Sequence, residues 1–132
     1  MYITIDTSAL IAAIGNEASK QKIIEVTKGC SLCAPASVHW EIGNAFSAMF
    51  KRQKLSIALA KQALAVYREI PVKYIDVPIE RALEIAHAQN MYVYDAYLIQ
   101  CAQQTGTALL TLDKGLKAVA EKMGISVLEA RP

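Results

Sequence analysis

Short β-rich runs, each followed almost at once by a segment of helical periodicity, limit what this chain can fold into more than any other feature. YITI (2–5), CSLCA (30–34), KYIDV (73–77), ALLTL and ISVLEA (125–130) alternate with longer amphipathic stretches. Successive strands separated by ten or more helical residues cannot form hairpins, so they pair in parallel through crossovers. The predicted architecture is therefore α/β: a central parallel sheet of about four to five strands with helices on both faces. No Pro/Gly/Ser-rich linker divides the 132 residues, which predicts a single domain over 1–132.

The helical stretches carry their own punctuation. TSALIAAI (7–14) and ASKQKIIEVTK (18–28) precede and follow a short break, and two longer helices are predicted over 37–53 and 56–70. The first of these opens on Ser37, with Glu41 one turn on, and the second has Ser56 as its N-cap. A helix over 79–89 begins after Pro78, the next is closed by Gly106, and the last by Gly124.

Composition matters where it restricts location and partners. Apolar residues make up 54% of the chain, and mean hydropathy is +0.25, both high for a small protein that must cover itself with polar surface. A partner chain covering part of that surface, including a second copy in a homodimer, is expected. No stretch approaches the roughly 20 apolar residues of a membrane span. The early apolar run at 9–14 follows an acid instead of a basic segment, so no membrane association and a cytoplasmic location are expected. Net charge is only +2, and contact with nucleic acid has to be argued from particular residues. Cys30 and Cys33 lack further ligands at zinc spacing and read as small strand residues.

Four acids stand out by position. Asp6 and Asp113 each end a strand and begin a helix, where ligands gather in parallel sheets. Asp95 lies one turn ahead of Leu98, Ile99 and Ala102, on the apolar side of its helix, and Glu41 borders the stripe of Val38, Ile42, Ala45 and Met49. Helix capping accounts for any one of the first three, and a solvated edge for Glu41. Those explanations are independent of one another and do not predict the set.

The segments IDTSALI, EIGNAFSAM, YDAYLIQCA and LLTLDKGL, in this order, resemble the four acidic motifs of the PIN domain. The closest likeness is to the small ribonucleases that act as toxins in toxin–antitoxin pairs. The resemblance implies that Asp6, Glu41, Asp95 and Asp113 bind metal and carry catalysis, with Thr7, Ser8 and Thr111 orienting the site. It further implies cleavage of RNA, dimerisation, and silencing by a small antitoxin protein. Many relatives carry another acid two residues after the fourth, where this chain has Gly115, so one or two ions are compatible with the pattern.

Elementary electrostatics points the same way. Converging carboxylates repel unless a cation joins them, and Mg²⁺ or Mn²⁺ accepts oxygen ligands while keeping room for a phosphate. Such an ion suits phosphodiester hydrolysis. No Ser–His–Asp or Cys–His arrangement competes, because His39 and His87 lie on helices away from any nucleophile. Among candidate substrate contacts, Lys51 and Arg52 close the Glu41 helix and could meet phosphates, and Tyr97 near Asp95 could stack on an unpaired base. Two alternatives remain open: a non-catalytic PIN scaffold that binds RNA or protein, and a haloacid-dehalogenase-like phosphatase. The second wants an acid where this chain has Ser8.

Overall fold

A computed structural model describes residues 1–130. In chain order the elements are β1 (Tyr2–Ile5), α1 (Thr7–Ile14), α2 (Lys20–Thr27), β2 (Ser31–Pro35), α3 (Ser37–Lys51), α4 (Ile57–Glu69), β3 (Val72–Ile75), α5 (Ile79–Gln89), α6 (Val93–Thr105), β4 (Ala108–Leu110), α7 (Lys114–Lys122) and β5 (Val127–Leu128). The five strands form one sheet in the order β3-β2-β1-β4-β5, and every pairing is parallel. The expected α/β architecture is observed.

Strand residues alternate between two apolar layers, as a two-residue period requires. Ile3, Ile5, Ala34 and Leu110 pack with α1, α2, α3 and α4, whereas Leu109 packs with α5, α6 and α7. Thr4, fully buried in the middle strand, would be costly without a partner; its hydroxyl bonds the Thr107 hydroxyl at 2.6 Å and faces Cys33 and Cys101. Cys30 and Cys33 are free thiols flanking or within β2.

Some helix ends follow local chemistry and others do not. Ser56 caps α4 by accepting from the Leu59 amide at 3.2 Å, and Gly106 ends α6 at φ +64°, a left-handed geometry that glycine adopts without a Cβ penalty. Ser37 does not cap α3. It is the first helical residue, Ala36 occupies the cap position, and the buried Ser37 hydroxyl has no hydrogen-bond partner among the described residues. β2 runs through Pro35 and leaves a single residue before the helix, so Ser37 is already inside the first turn.

Strand order decides what meets at the rim. β1 lies between β2 and β4, so the chain leaves it toward one side through α1 and α2 and returns to its other side at β4. This reversal opens a crevice beyond the carboxyl ends of β1 and β4, the usual ligand position in open parallel sheets.

Candidate metal and phosphodiester site

Asp6 and Asp113 flank that crevice. Asp6 follows β1 and Asp113 lies three residues past β4, and each caps the next helix: Asp6 Oδ1 accepts from the Ala9 amide at 2.9 Å, and Asp113 Oδ1 from the Leu116 amide at 3.0 Å. The capping explanation is therefore correct as far as it goes, but Asp6 is also buried, only 4% exposed. A cap needs no such burial. Its second oxygen accepts a hydrogen bond from Thr111, and the Ser8 hydroxyl donates to Asp6 at 2.8 Å. Thr111 Oγ1 accepts from the Asp113 amide at 3.0 Å, and Ser8 Oγ from the Leu112 amide at 3.0 Å, tying the two strand ends together.

Two helices bring the remaining acids. α3 starts directly after β2, so Glu41 in its second turn stays near the rim, where the Thr7 hydroxyl donates to Glu41 Oε2. α6 lies against β1, β2 and β4, anchored by Leu98, Ile99 and Ala102, all at most 2% exposed. Its N-terminal turn carries Asp95 into the crevice. Asp95 is not a cap, since Tyr92 holds that position, and no hydrogen bond or salt bridge to Asp95 occurs among the described residues.

All four acids line one cleft of about 430 Å³, together with Thr7, Ser8, Ile11, Tyr92 and Tyr94. Among the described residues, no Lys or Arg lines it. Burial pushes Asp6 up to about 6, against the hydrogen bonds from Thr111, the Ala9 amide and Ser8, with the Asp113 charge adding to the rise. Glu41 is pushed up to about 7 by burial, opposed by Thr7 and reinforced by Asp95 and Asp6. Asp95 is raised by burial and by Asp113. The charges of Asp6, Asp95 and Asp113 thus add to the difficulty of ionising a neighbouring acid, which is the electrostatic condition that an added cation relieves.

The donor set fits a hard divalent ion: oxygen ligands only, with no His or Cys in the cleft. Among the described residues, however, no three acids stand together as a ready-made cage. The oxygens of Asp6 and Glu41 are turned toward Ser8, Thr111 and Thr7. An ion that keeps several waters and takes one or two carboxylates directly suits this spacing better than one demanding a closed protein shell.

The remaining sequence candidates sit elsewhere. Lys51 ends α3, ten residues beyond Glu41 and so about 15 Å along the helix axis, and neither Lys51 nor Arg52 lines the cleft. Because α3 begins at the rim, its far end points away from it. Tyr97 lines an adjoining cleft, while Tyr92 and Tyr94 face the acids. Tyr97 lies three residues beyond Tyr94 on α6, and the two rings share the adjoining cleft. The sequence signal for Tyr92 and Tyr94 was that they flank Asp95.

The PIN domain family matches residues 3–122 of the chain, and no curated protein matches it. Among solved structures, PAE2754 from Pyrobaculum aerophilum superposes with a TM-score of 0.73 at 23% identity, covering 96% of this chain and 83% of that one. VapC20 from Mycobacterium tuberculosis, described as a sarcin-ricin loop cleaving toxin, gives 0.65 at 17% identity, covering 98% and 99%. VapBC2 from Rickettsia felis, bound to a DNA fragment from its promoter, gives 0.65 at 14% identity, covering 97% and 98%. At such identities the likeness speaks to fold alone. The family match spans nearly the whole sequence and takes in all four acids, and the chain belongs to the PIN domain family.

Proposed function

We propose that residues 1–132 act as one metal-dependent endoribonuclease unit, the toxin of a toxin–antitoxin pair. The observation that carries this reading is a single cleft at the strand-order reversal, lined by four carboxylates from four separate parts of the chain and, among the described residues, by no protein cation. Asp6, Glu41, Asp95 and Asp113 would hold Mg²⁺ or Mn²⁺, as one ion or two. Bound there, the ion would polarise the phosphoryl oxygens and acidify an attacking water.

The chain's own residues account for the rest. Thr111 and Ser8 hold the Asp6 carboxylate in one orientation at the cleft. Thr7 does the same for Glu41. Asp95, with no hydrogen bond among the described residues, can swing to meet a cation or take a proton from water. Ile11, Leu98 and Leu116 form the apolar wall, which lowers the local dielectric and strengthens interactions with the phosphate.

The solved relatives' descriptions support this reading, since VapC20 is described as a sarcin-ricin loop cleaving toxin and VapBC2 as bound to a DNA fragment from its promoter. A small antitoxin and a second copy of the chain are the proposed protein partners. Their proposed contact surfaces are the exposed apolar residues of α3 and α4, including Phe50, Ile57 and Leu59. No described helix is long and apolar enough to cross a membrane, in keeping with the proposed cytoplasmic location.

One observation favours the non-catalytic alternative: the acids are not preassembled as a cage. Both readings are separated by incubating RNA with the wild type, Asp6→Asn and Asp95→Asn in Mg²⁺ or Mn²⁺. The nuclease reading expects each variant to lose on the order of 100-fold or more in cleavage rate. Equal rates in all three proteins, or cleavage by none, would remove it.

A further inference from the structure

A second cleft, about 490 Å³, adjoins the acids beyond the carboxyl ends of β2 and β3. Ser37, Trp40, Tyr74, Asp76 and Tyr94 are among its lining residues. Tyr94 also lines the acid cleft, and a small groove joins Trp40 to Glu41. A chain passing the acids therefore has a continuous path into this space.

The lining is aromatic but built rather than incidental. Trp40 is 73% exposed, an unusual position for the only tryptophan of a small chain. The Tyr74 ring is held from behind: its hydroxyl bonds the Tyr67 hydroxyl at 2.7 Å, Tyr67 bonds His39 Nδ1 at 2.6 Å, and the His39 and Tyr74 rings lie 4.4 Å apart. Tyr94 packs edge-on to Tyr97. The Asp76 segment is pinned by Gln104, whose amide donates to the Asp76 carbonyl at 3.0 Å. Into this wall the structure places the buried Ser37 hydroxyl with no partner of its own.

Charge selects among ligands. Among the described residues the cleft holds the Asp76 carboxylate and no Lys or Arg, which disfavours a phosphate. A nucleobase offers two faces for aromatic contact, N–H groups for the Asp76 carboxylate, and edge atoms that pair with an orphaned hydroxyl. From this geometry we infer that the cleft takes an unstacked base of single-stranded RNA, adjacent to the phosphate held at the acids. The inference rests on the ribonuclease reading for its substrate, and its test is independent of cleavage.

Trp40 is its own reporter. Asp6→Asn protein is titrated with a single-stranded RNA of about eight nucleotides in Mg²⁺, following indole fluorescence and, separately, the anisotropy of a labelled RNA. Saturable quenching is expected. Adding Trp40→Ala should weaken binding by roughly 10- to 100-fold while the slope of affinity against salt stays unchanged, because stacking and not a phosphate contact is lost. Trp40→Phe should restore most of the affinity. Ser37→Ala should weaken binding without altering the quench.

RNA binding unaffected by Trp40→Ala, or binding without quenching, would overturn the base site. So would a Trp40→Ala protein that turns from dimer to monomer with unchanged RNA affinity, since the cleft would then belong to a second copy of the chain. The two readings fail separately. Wild-type cleavage with Trp40-independent binding sinks the base site alone; Trp40-dependent binding without any wild-type cleavage sinks catalysis and leaves the cleft.

Discussion

Replacing Asp6 by Asn should make the metal-free protein more stable at pH 8 than at pH 5, relative to wild type. Burial pushes this carboxyl from 3.8 to about 6 in the folded chain. At 1.36 kcal/mol per tenfold, that gap costs the folded state about 3 kcal/mol once the group is ionised. The folded form binds its proton more tightly than the unfolded form. Stability from this residue is therefore complete below pH 3.8 and is lost as pH rises through about 6. By pH 5 roughly 1.4 kcal/mol of the loss is recovered. Asparagine cannot ionise. It keeps one oxygen for Ala9 and Ser8, and its amide forces the Thr111 hydroxyl to reverse, at a cost of about 1 kcal/mol. The net gain at pH 8 is about 2 kcal/mol, equivalent to roughly 6–10 °C in Tm, and it shrinks to under about 1 kcal/mol at pH 5. Urea denaturation in EDTA at the two pH values, followed by far-UV circular dichroism, measures both differences. A stability difference equal at the two pH values, or an Asn variant weaker than wild type at pH 8, would refute the desolvation reasoning.

Two further outcomes test the same network. Wild-type Tm should rise with millimolar Mn²⁺ at pH 8 and hardly at all at pH 5, where Asp6 and Glu41 hold protons, and the Asp6→Asn variant should lose most of the rise; thermal shifts in both buffers decide it. Thr111→Val should cost about 1–3 kcal/mol by leaving the Asp113 amide without its hydroxyl acceptor and an Asp6 oxygen without its donor, and should move the acid-side stability midpoint upward, which a pH series of urea melts would detect.

Particular residues show where sequence reasoning succeeds. Ser56 and Gly106 act through atoms within three or four residues, so the cap and the left-handed terminus they predict are both present. The short apolar runs needed only their spacing to imply parallel pairing, because no tight turn could join them. At Ser37 the expected helix start is present, but β2 continues to Pro35 and Ala36 takes the cap position, so the hydroxyl does no capping. A linear chain does not reveal which end of a helix faces the rim, so only the structure could place Lys51 and Arg52 outside the acid cleft and Tyr97 in the adjoining one.

By itself the sequence determined the element types, the parallel sheet and which four acids stand at strand ends or helix faces. Those properties are local, set by periodicity, capping and crossover length. Only tertiary structure decided the strand order that sets Asp6 beside Asp113, the Thr111 bond to Asp6 across 105 residues, and the turn of α6 that brings Asp95 to them. Burial decided the rest. Isolated, these acids would titrate near their ordinary values, and it is the loss of water in a shared cleft that raises Asp6 and Glu41 toward neutrality.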